Sequence, residues 1–388
     1  MSDQPTLLSD QPRRPANLLP FGAGAILFIV LLSAGSLIGG ELGSFMGASI
    51  NAAPFAVLAI LAYMGGARPN WAWLATGLWL ALLVGAVGLM TLSYGLIAIF
   101  GGPLNDPANP PQLTNEDLLR IALIVLGILG SVLAGALLLI PPLRRALARV
   151  LPLDPSSFVH TTALVAVVSV GMICAVPLLV LGAPPALAAV DLLTEAMAGR
   201  GEGGQLRDQL YGLVWTVPAA ILAVGFGITR GLREALLRLG LVRPTLRQAV
   251  AGVVIALLLA GAVQLIGGGI DWLWRSLGWP VTDQDAFAEL LAFAINPLGA
   301  VVIGVVAGLG EELAVRGVLQ PRLGLILSNL FFTSLHALQY NWDALLIVFV
   351  VGVVCGLVRQ RTNTTTAAIV HGTYNFTLIM LAAAGIGA

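Results

Sequence analysis

The sequence contains no lysine: its basic residues are all arginine, balanced by an equal number of aspartates and glutamates. It has three histidines and two cysteines, and charged residues make up only 10% of it, where an average soluble domain is nearer a quarter charged. Each scarcity excludes something. Cys174 and Cys355 both lie inside apolar runs, so they form neither a disulfide framework nor a CxxC metal knuckle; they read as small buried hydrophobes. A formal net charge of zero leaves no basic face for a nucleic acid, and none is expected as a partner. A chain that is 58% hydrophobic, with a mean hydropathy of +0.95, cannot hide its apolar surface in a water-soluble globule. Its solvent is membrane lipid. The all-arginine cation set points to a high-GC prokaryotic genome, hence a plasma-membrane location.

A membrane-crossing helix needs about 20 mostly apolar residues. The chain offers eleven candidate runs, at 21–40, 52–66, 71–99, 118–141, 158–183, 209–229, 248–270, 290–310, 322–338, 343–358 and 364–386. None shows the alternation of barrel strands, so the predicted fold class is all-α, a polytopic transmembrane helix bundle. The run 21–40 lacks a clear cleavage site and reads as a first anchor. With the N-terminus cytoplasmic, internal loops carry Arg13, Arg14, Arg68, Arg144, Arg145 and Arg149, then five arginines from Arg230 to Arg247, then Arg359 and Arg361. External loops carry mainly Arg200, Arg207 and Arg275 among many acids. That alternation obeys the positive-inside rule and places the C-terminus outside. The arginine-rich stretch 230–247 is the expected boundary between an N-terminal bundle (1–247, about six spans) and a C-terminal bundle (248–388).

The N-terminal bundle has almost no ionisable residue within a span; His160, at the edge of one, reads as an interfacial polar residue. The C-terminal bundle differs. Glu311, Glu312 and Arg316 follow one apolar run, Phe332 and His336 lie on the next, and His371 and Asn375 lie on the last. A charge at the centre of a membrane helix costs roughly 2.5–3.5 kcal/mol on insertion scales, so such groups usually face a polar cavity and serve function. Glu312 and Arg316, four apart with the acid first, can pair. Glu311 points about 100° away on an α-helix and has no local cation. His371 and Asn375 share a face. These parts suit peptide hydrolysis. A carboxylate assisted by imidazole can take a proton from water, and His and Asn can donate to an oxyanion. Alternatively, Glu311, His336 and His371 match the ligand set of a catalytic zinc ion. No GxSxG or HExxH motif is present. The GxxxG pair Gly352 and Gly356 reads as close helix packing.

Taken together, Glu-Glu-x-x-x-Arg at 311–316, Phe-x-x-x-His at 332–336 and His-x-x-x-Asn at 371–375 resemble the CPBP (Abi or CAAX protease) family of intramembrane peptidases, related to the type II CAAX prenyl endopeptidases. The resemblance spans about residues 290–385. It implies that Glu311, with His336, activates water. It implies that His371 and Asn375 stabilise the oxyanion, and that Glu312 and Arg316 support them. Members are commonly called metalloproteases, and a metal-free glutamate mechanism is also argued for the fold. The implied substrate is a membrane-associated peptide or protein. Glu311 lies close to Arg322, and His371 several residues into a span that follows Arg361, so the expected cavity is in the inner leaflet, open toward the cytoplasm. The rival readings are a non-catalytic scaffold or bacteriocin self-immunity protein, and a transporter. A transporter predicts paired broken helices in two related halves, whereas these charges cluster in one half.

Overall fold

The computed structural model describes residues 38–67, 71–101 and 113–386. The first predicted span, 21–40, lies almost wholly outside the described residues, as do Arg13, Arg14, Arg68 and most of the loop 100–117. Among the described residues the chain forms helices and no strand. The principal helices are α1 (Ala53–Ala67), α2 (Trp71–Phe100), α3 (Asn115–Leu137), α4 (Phe158–Leu181), α5 (Gly201–Ala223), α6 (Leu246–Ser276), α7 (Pro297–Val305, continued by wider turns to Leu319), α8 (Gln320–Leu335), α9 (Trp342–Arg361) and α10 (Thr364–Ala383). A polytopic membrane bundle is the fold that such helices build. In lipid the backbone must satisfy its hydrogen bonds within each segment, which leaves helices as the spans.

Seven helical stretches are long and apolar enough to cross a membrane, α7 and α8 together counting as one; an eighth span arises if Gly40–Asn51 and α1, bent by 51°, count as one. Counting that eighth span, which answers to the predicted run 52–66, the difference from the eleven predicted runs has three sources. One run is outside the described residues. Another, 209–229, is realised as α5, which begins eight residues earlier and takes in Glu202, Arg207 and Asp208, so it is too polar to qualify. The third source is the stretch Pro297–Leu338, which is counted as one span but is broken at Gly324, where it reverses direction. There the backbone adopts φ 80°, ψ 171°, a region open to glycine at no steric cost. The reversal is visible in the contacts. Thirteen helical residues span about 20 Å, yet Arg316 reaches Asn329 at 3.4 Å and lies 5.0 Å from the Phe332 ring centroid. The two limbs therefore form a helical hairpin, and they correspond to the predicted runs 290–310 and 322–338.

The most enclosed spanning helix is α4. It packs against α1, α2, α3 and α8. Its Ala166, Val170, Ile173 and Cys174 interlock with Leu58, Leu83 and Val84, and Phe331 of α8 closes the cluster. The N-terminal helices thus support the hairpin directly. At the hairpin's corner, Arg322 donates to the Tyr63 hydroxyl at 2.6 Å and to the Ala223 carbonyl at 3.1 Å. The arginine-rich stretch 230–247 is not a solvated linker throughout. Helix Leu232–Leu239 buries Arg238, which donates to the Gly317 carbonyl at 3.0 Å. Trp73 and Trp79, positioned as for an aromatic belt, also cross-link helices: their indoles donate to the carbonyls of Gly65 (2.9 Å) and Pro54 (2.8 Å) in α1.

Candidate active site

The glutamates sit where the helix is wound most loosely. From Val306 to Leu319 the turns are of the π type, closed by i→i+5 hydrogen bonds, a form that is rare and frequently found at functional sites. The sequence reading assumed a regular α-helix here. The stretch also meets α10 backbone to backbone. A Cβ added at Gly308 would lie 2.7 Å from the Ala368 carbonyl oxygen and 2.7 Å from the Gly372 Cα. Only backbone surrounds that point, so nothing can move aside. Gly308 and Gly372 are what allow α7 and α10 to come so near, and this sets the glutamates against His371.

The two neighbouring glutamates then have opposite surroundings. Glu312 is fully buried, whereas the Glu311 side chain is 39% exposed. Glu312 is the pivot of the cluster. Its Oε2 lies 3.3 Å from Arg316 Nε, an ionic contact without hydrogen-bond alignment, and its Oε1 accepts from His371 Nδ1 at 3.0 Å. Arg316, also buried, donates to the Gly352 carbonyl at 2.9 Å. Two further side chains reach the same face of α9. Asn329 donates to the Phe349 carbonyl at 2.8 Å and Gln320 to the Gly356 carbonyl at 3.0 Å. Positions 349, 352 and 356 recur at helical spacing, so α9 offers a ladder of carbonyls to three polar groups of the hairpin. Gly352 and Gly356 leave the room: a Cβ at Gly352 would overlap the Asn329 carboxamide.

His371 bridges the pair. With Nδ1 on Glu312, its Nε2 lies 3.8 Å from Oε2 of Glu311. His336 stands apart from both glutamates. Its Nδ1 meets its own helix carbonyl at Phe332, 2.9 Å away. Donation there leaves Nε2 as the acceptor nitrogen. Phe332 lies between the two imidazoles, with centroids 4.7 Å from His336 and 6.1 Å from His371. Asn375 is half-buried, one turn beyond His371. The structure thus brings Glu311, Glu312, Arg316 and His371 into one cluster, with His336 and Asn375 at its margins. His160, in the other bundle, accepts from the Asp154 amide at 3.0 Å, a local structural contact.

Sequence reasoning missed Gln320, Asn329, Cys355 and Tyr340. For Gln320 and Asn329 the available signal was a carboxamide next to or within an apolar run, which is costly unless it is partnered. Tyr340, between the hairpin and α9, stacks on His336 at 6.0 Å. Burial, then the nearby Tyr374 and Glu311, raise its phenol above the ordinary value, so it remains a neutral hydroxyl.

The ligand set expected for zinc, Glu311, His336 and His371, is not the trio that converges. Among the described residues the side chains whose ligand atoms all lie within 4.8 Å of one another are Glu312, Cys355 and His371, all buried. That trio can hold a metal ion. Beside it, a groove of about 410 Å³ runs between α7 and α10, lined by Gly304, Leu309, Thr365, Ala368, Gly372 and Phe376 among others. No curated protein and no solved structure matches the chain. Residues 293–377 do match a family model, that of the type II CAAX prenyl endopeptidases, Rce1-like. That stretch contains all three motifs and every residue of the cluster, so the match agrees with the motifs' resemblance to the CPBP (Abi or CAAX protease) family of intramembrane proteases.

Proposed function

We propose that the chain is an intramembrane endopeptidase that hydrolyses a peptide bond of a membrane-associated peptide or protein, with Glu311 as the group that activates water. The observation that carries this reading is the contrast between the adjacent glutamates. Glu312 is buried and occupied by Arg316 and His371, while the carboxylate of Glu311 is open and 3.8 Å from His371 Nε2. A general base must reach the proton that it removes, and of the two only Glu311 is accessible. His336 Nε2 assists it. An imidazolium at His371, steadied through Nδ1 by Glu312 as carboxylates steady imidazolium elsewhere, presents Nε2–H to the developing oxyanion, and Asn375 adds a second donor. The groove between α7 and α10 gives a substrate segment lateral access from lipid. In the metal-assisted variant of this reading, a zinc ion held by Glu311, His336 and His371 would polarise the carbonyl and water. That Glu311, His336 and His371 are not the trio whose ligand atoms converge favours the metal-free form.

The site faces the cytoplasm, with the N-terminus inside and the C-terminus outside a prokaryotic plasma membrane. The fold supports this by gathering the arginine-bearing ends. Thr364 donates to the Leu239 carbonyl at 2.6 Å and the Val242 amide to Thr365 at 3.2 Å, which brings the segments of Arg238, Arg243, Arg247, Arg359 and Arg361 to one end. The decisive experiment incubates the purified chain, reconstituted in liposomes, with a panel of membrane-anchored peptides and reads products by mass spectrometry. Cleavage at one bond, absent with Glu311→Gln, is expected; equal cleavage by that variant would refute the assignment. Reporter fusions after residues 110, 195, 240 and 388 test the topology, and an external signal at 240 would overturn it.

A further inference from the structure

The arginines at the two ends of the bundle are partnered differently. At the end where α3 and α5 begin and α6 finishes, each has a carboxylate. Arg120 lies 2.6 Å from Glu116, Arg200 2.6 Å from Asp208, Arg207 2.7 Å from Glu41 and Arg275 2.9 Å from Asp271. The opposite end gathers around the hairpin corner. A Cβ at Gly324 would lie 3.0 Å from Pro152, just after the short helix Pro141–Leu147. Helix Leu232–Leu239 meets Gly317 through Arg238. Gln248, in the first turn of α6, lies 3.5 Å from Asn363, between α9 and α10. These segments expose Arg145, Arg149, Arg233, Arg243, Arg247 and Arg361, and among the described residues none of the six has an acidic partner or a side-chain hydrogen bond. The acids described in the same segments bond to near neighbours in sequence: Asp154 accepts from Ser156, and Glu234 from the Gly231 amide.

Exposure does not separate the two groups, since the paired arginine side chains are 41–64% exposed as well. A second observation is apolar. The same segments leave Leu143, Val150, Leu237 and Leu246 uncovered, Val150 at 79% and Leu246 at 81% exposed. Bare aliphatic side chains beside arginines do not suit a soluble polyanion. They suit the lipid interface, where the apolar group enters the acyl boundary and the guanidinium stays at the phosphates. We propose that this end of the bundle is a docking surface for the headgroups of anionic phospholipids, which supply the counter-charges that the chain itself provides at its other end. The match is one of charge: basic side chains near a membrane surface attract anionic lipid within a Debye length, about 10 Å at 0.1 M salt, and a guanidinium can take two phosphate oxygens at once. The proposal holds whichever leaflet this end faces and does not rest on the peptidase reading.

The test reconstitutes the purified full-length chain in phosphatidylcholine vesicles that carry a trace of spin-labelled phosphatidylglycerol or of spin-labelled phosphatidylcholine. Electron paramagnetic resonance then reads the fraction of label immobilised on the protein. Expected is a larger fraction for phosphatidylglycerol at low salt, falling to the phosphatidylcholine level near about 1 M salt, where the Debye length is about 3 Å. Arg145→Gln with Arg149→Gln, and Arg243→Gln with Arg247→Gln, should each lower the preference in part, and replacing all six arginines should abolish it. Arg120→Gln, at the other end, should leave it unchanged. Melting temperature in neutral detergent checks that each variant is folded, and the salt titration of the unaltered chain is decisive even where a variant is not. Equal immobilisation of the two labels at low salt overturns the proposal. So does a preference that survives about 1 M salt, that survives the loss of all six arginines in a folded chain, or that Arg120→Gln removes. Equal labels together with salt-sensitive binding of soluble polyglutamate would make the partner an acidic protein segment instead. Cleavage is read at no step, so failure of the peptidase reading leaves this result standing.

Discussion

The two halves of the molecule spend their polar side chains differently. In the N-terminal helices hydroxyls fold back on their own backbone: Thr76 donates to the Ala72 carbonyl (2.6 Å), Ser131 to Gly127 (2.7 Å) and Thr162 to Phe158 (2.9 Å). Each is satisfied within one turn and says nothing about where the next helix lies. In the C-terminal half the polar groups cross between elements. Arg316, Gln320 and Asn329 reach carbonyls of α9, and His371 of α10 reaches Glu312. A group that finds its partner on another helix fixes that helix in position and register, because in lipid the alternative is an unsatisfied polar atom. The first half is held together mainly by apolar packing and three indole hydrogen bonds, with a few polar contacts such as Arg207 to Glu41 and Arg230 to Tyr63. The second is held by a network at whose centre neither Glu312 nor Arg316 can be removed singly without leaving a buried charge.

The largest effect that this contrast predicts is at Glu312. Replacing it with glutamine leaves Arg316 buried without its counter-charge and releases His371. Breaking a buried pair from one side typically costs roughly 3–5 kcal/mol. Glu312→Gln should therefore lose both melting temperature and cleavage, and changing Arg316 as well should recover part of the melting temperature. A Glu312→Gln protein as stable as the parent would show that the network is not what holds this half together.

At Glu311 the effect should fall on rate alone. Its carboxylate has no arginine beside it, only His371 Nε2 at 3.8 Å, and is partly exposed, so Glu311→Gln should melt no lower than the parent while cleavage drops by roughly 10²–10⁴-fold, the usual contribution of a general base. Full activity in this variant, with loss in a stable Glu312→Gln, would reverse the two roles. Smaller again is Asn375→Ala, which should keep the fold and slow turnover by roughly 10²–10³-fold, the usual loss of one oxyanion donor. Near-normal turnover would remove Asn375 from the mechanism.

The legible and illegible parts of this site divide along physical lines. Hydropathy exposes spans because each is a local property of about 20 residues, so the helical bundle could be read directly. The i,i+4 spacing of Glu312 and Arg316 revealed their pairing for the same reason. What could not be read is non-local. Nothing in the order of residues says that His371 docks on Glu312, because that contact depends on Gly308 and Gly372 letting two backbones meet. Nor does it say that Cys355 faces both, since an apolar helix gives no preferred face when it is hydrophobic all round. The wide turns of 306–319 were hidden as well. A pattern analysis presumes the α-helical repeat, and a π stretch is decided by tertiary packing rather than by propensity. Arg238 shows the opposite error: an arginine in a basic run looks solvated until Gly317 offers its carbonyl.

The smallest expected effect is the control for the whole comparison. Ser131 is buried in α3 and donates to the Gly127 carbonyl at 2.7 Å. Burial alone would rank it with Asn329, which is also fully enclosed. The partners separate them. The Gly127 carbonyl is on the same helix and already lies in the helical ladder, so removing the hydroxyl orphans nothing and frees no neighbouring element. Ser131→Ala should change stability by less than about 0.6 kcal/mol, the average for hydrogen bonds measured within a membrane bundle, and leave cleavage untouched. Asn329→Ala removes a donor that joins two helices and a neighbour of Arg316, and should fall nearer the upper end of that range, about 1.7 kcal/mol. Measuring both by denaturation in the same detergent puts the distinction at risk. If Ser131→Ala proves as costly as Asn329→Ala, then burial and not the crossing of helices sets the worth of a polar side chain here, and the two halves differ less than their hydrogen bonds suggest.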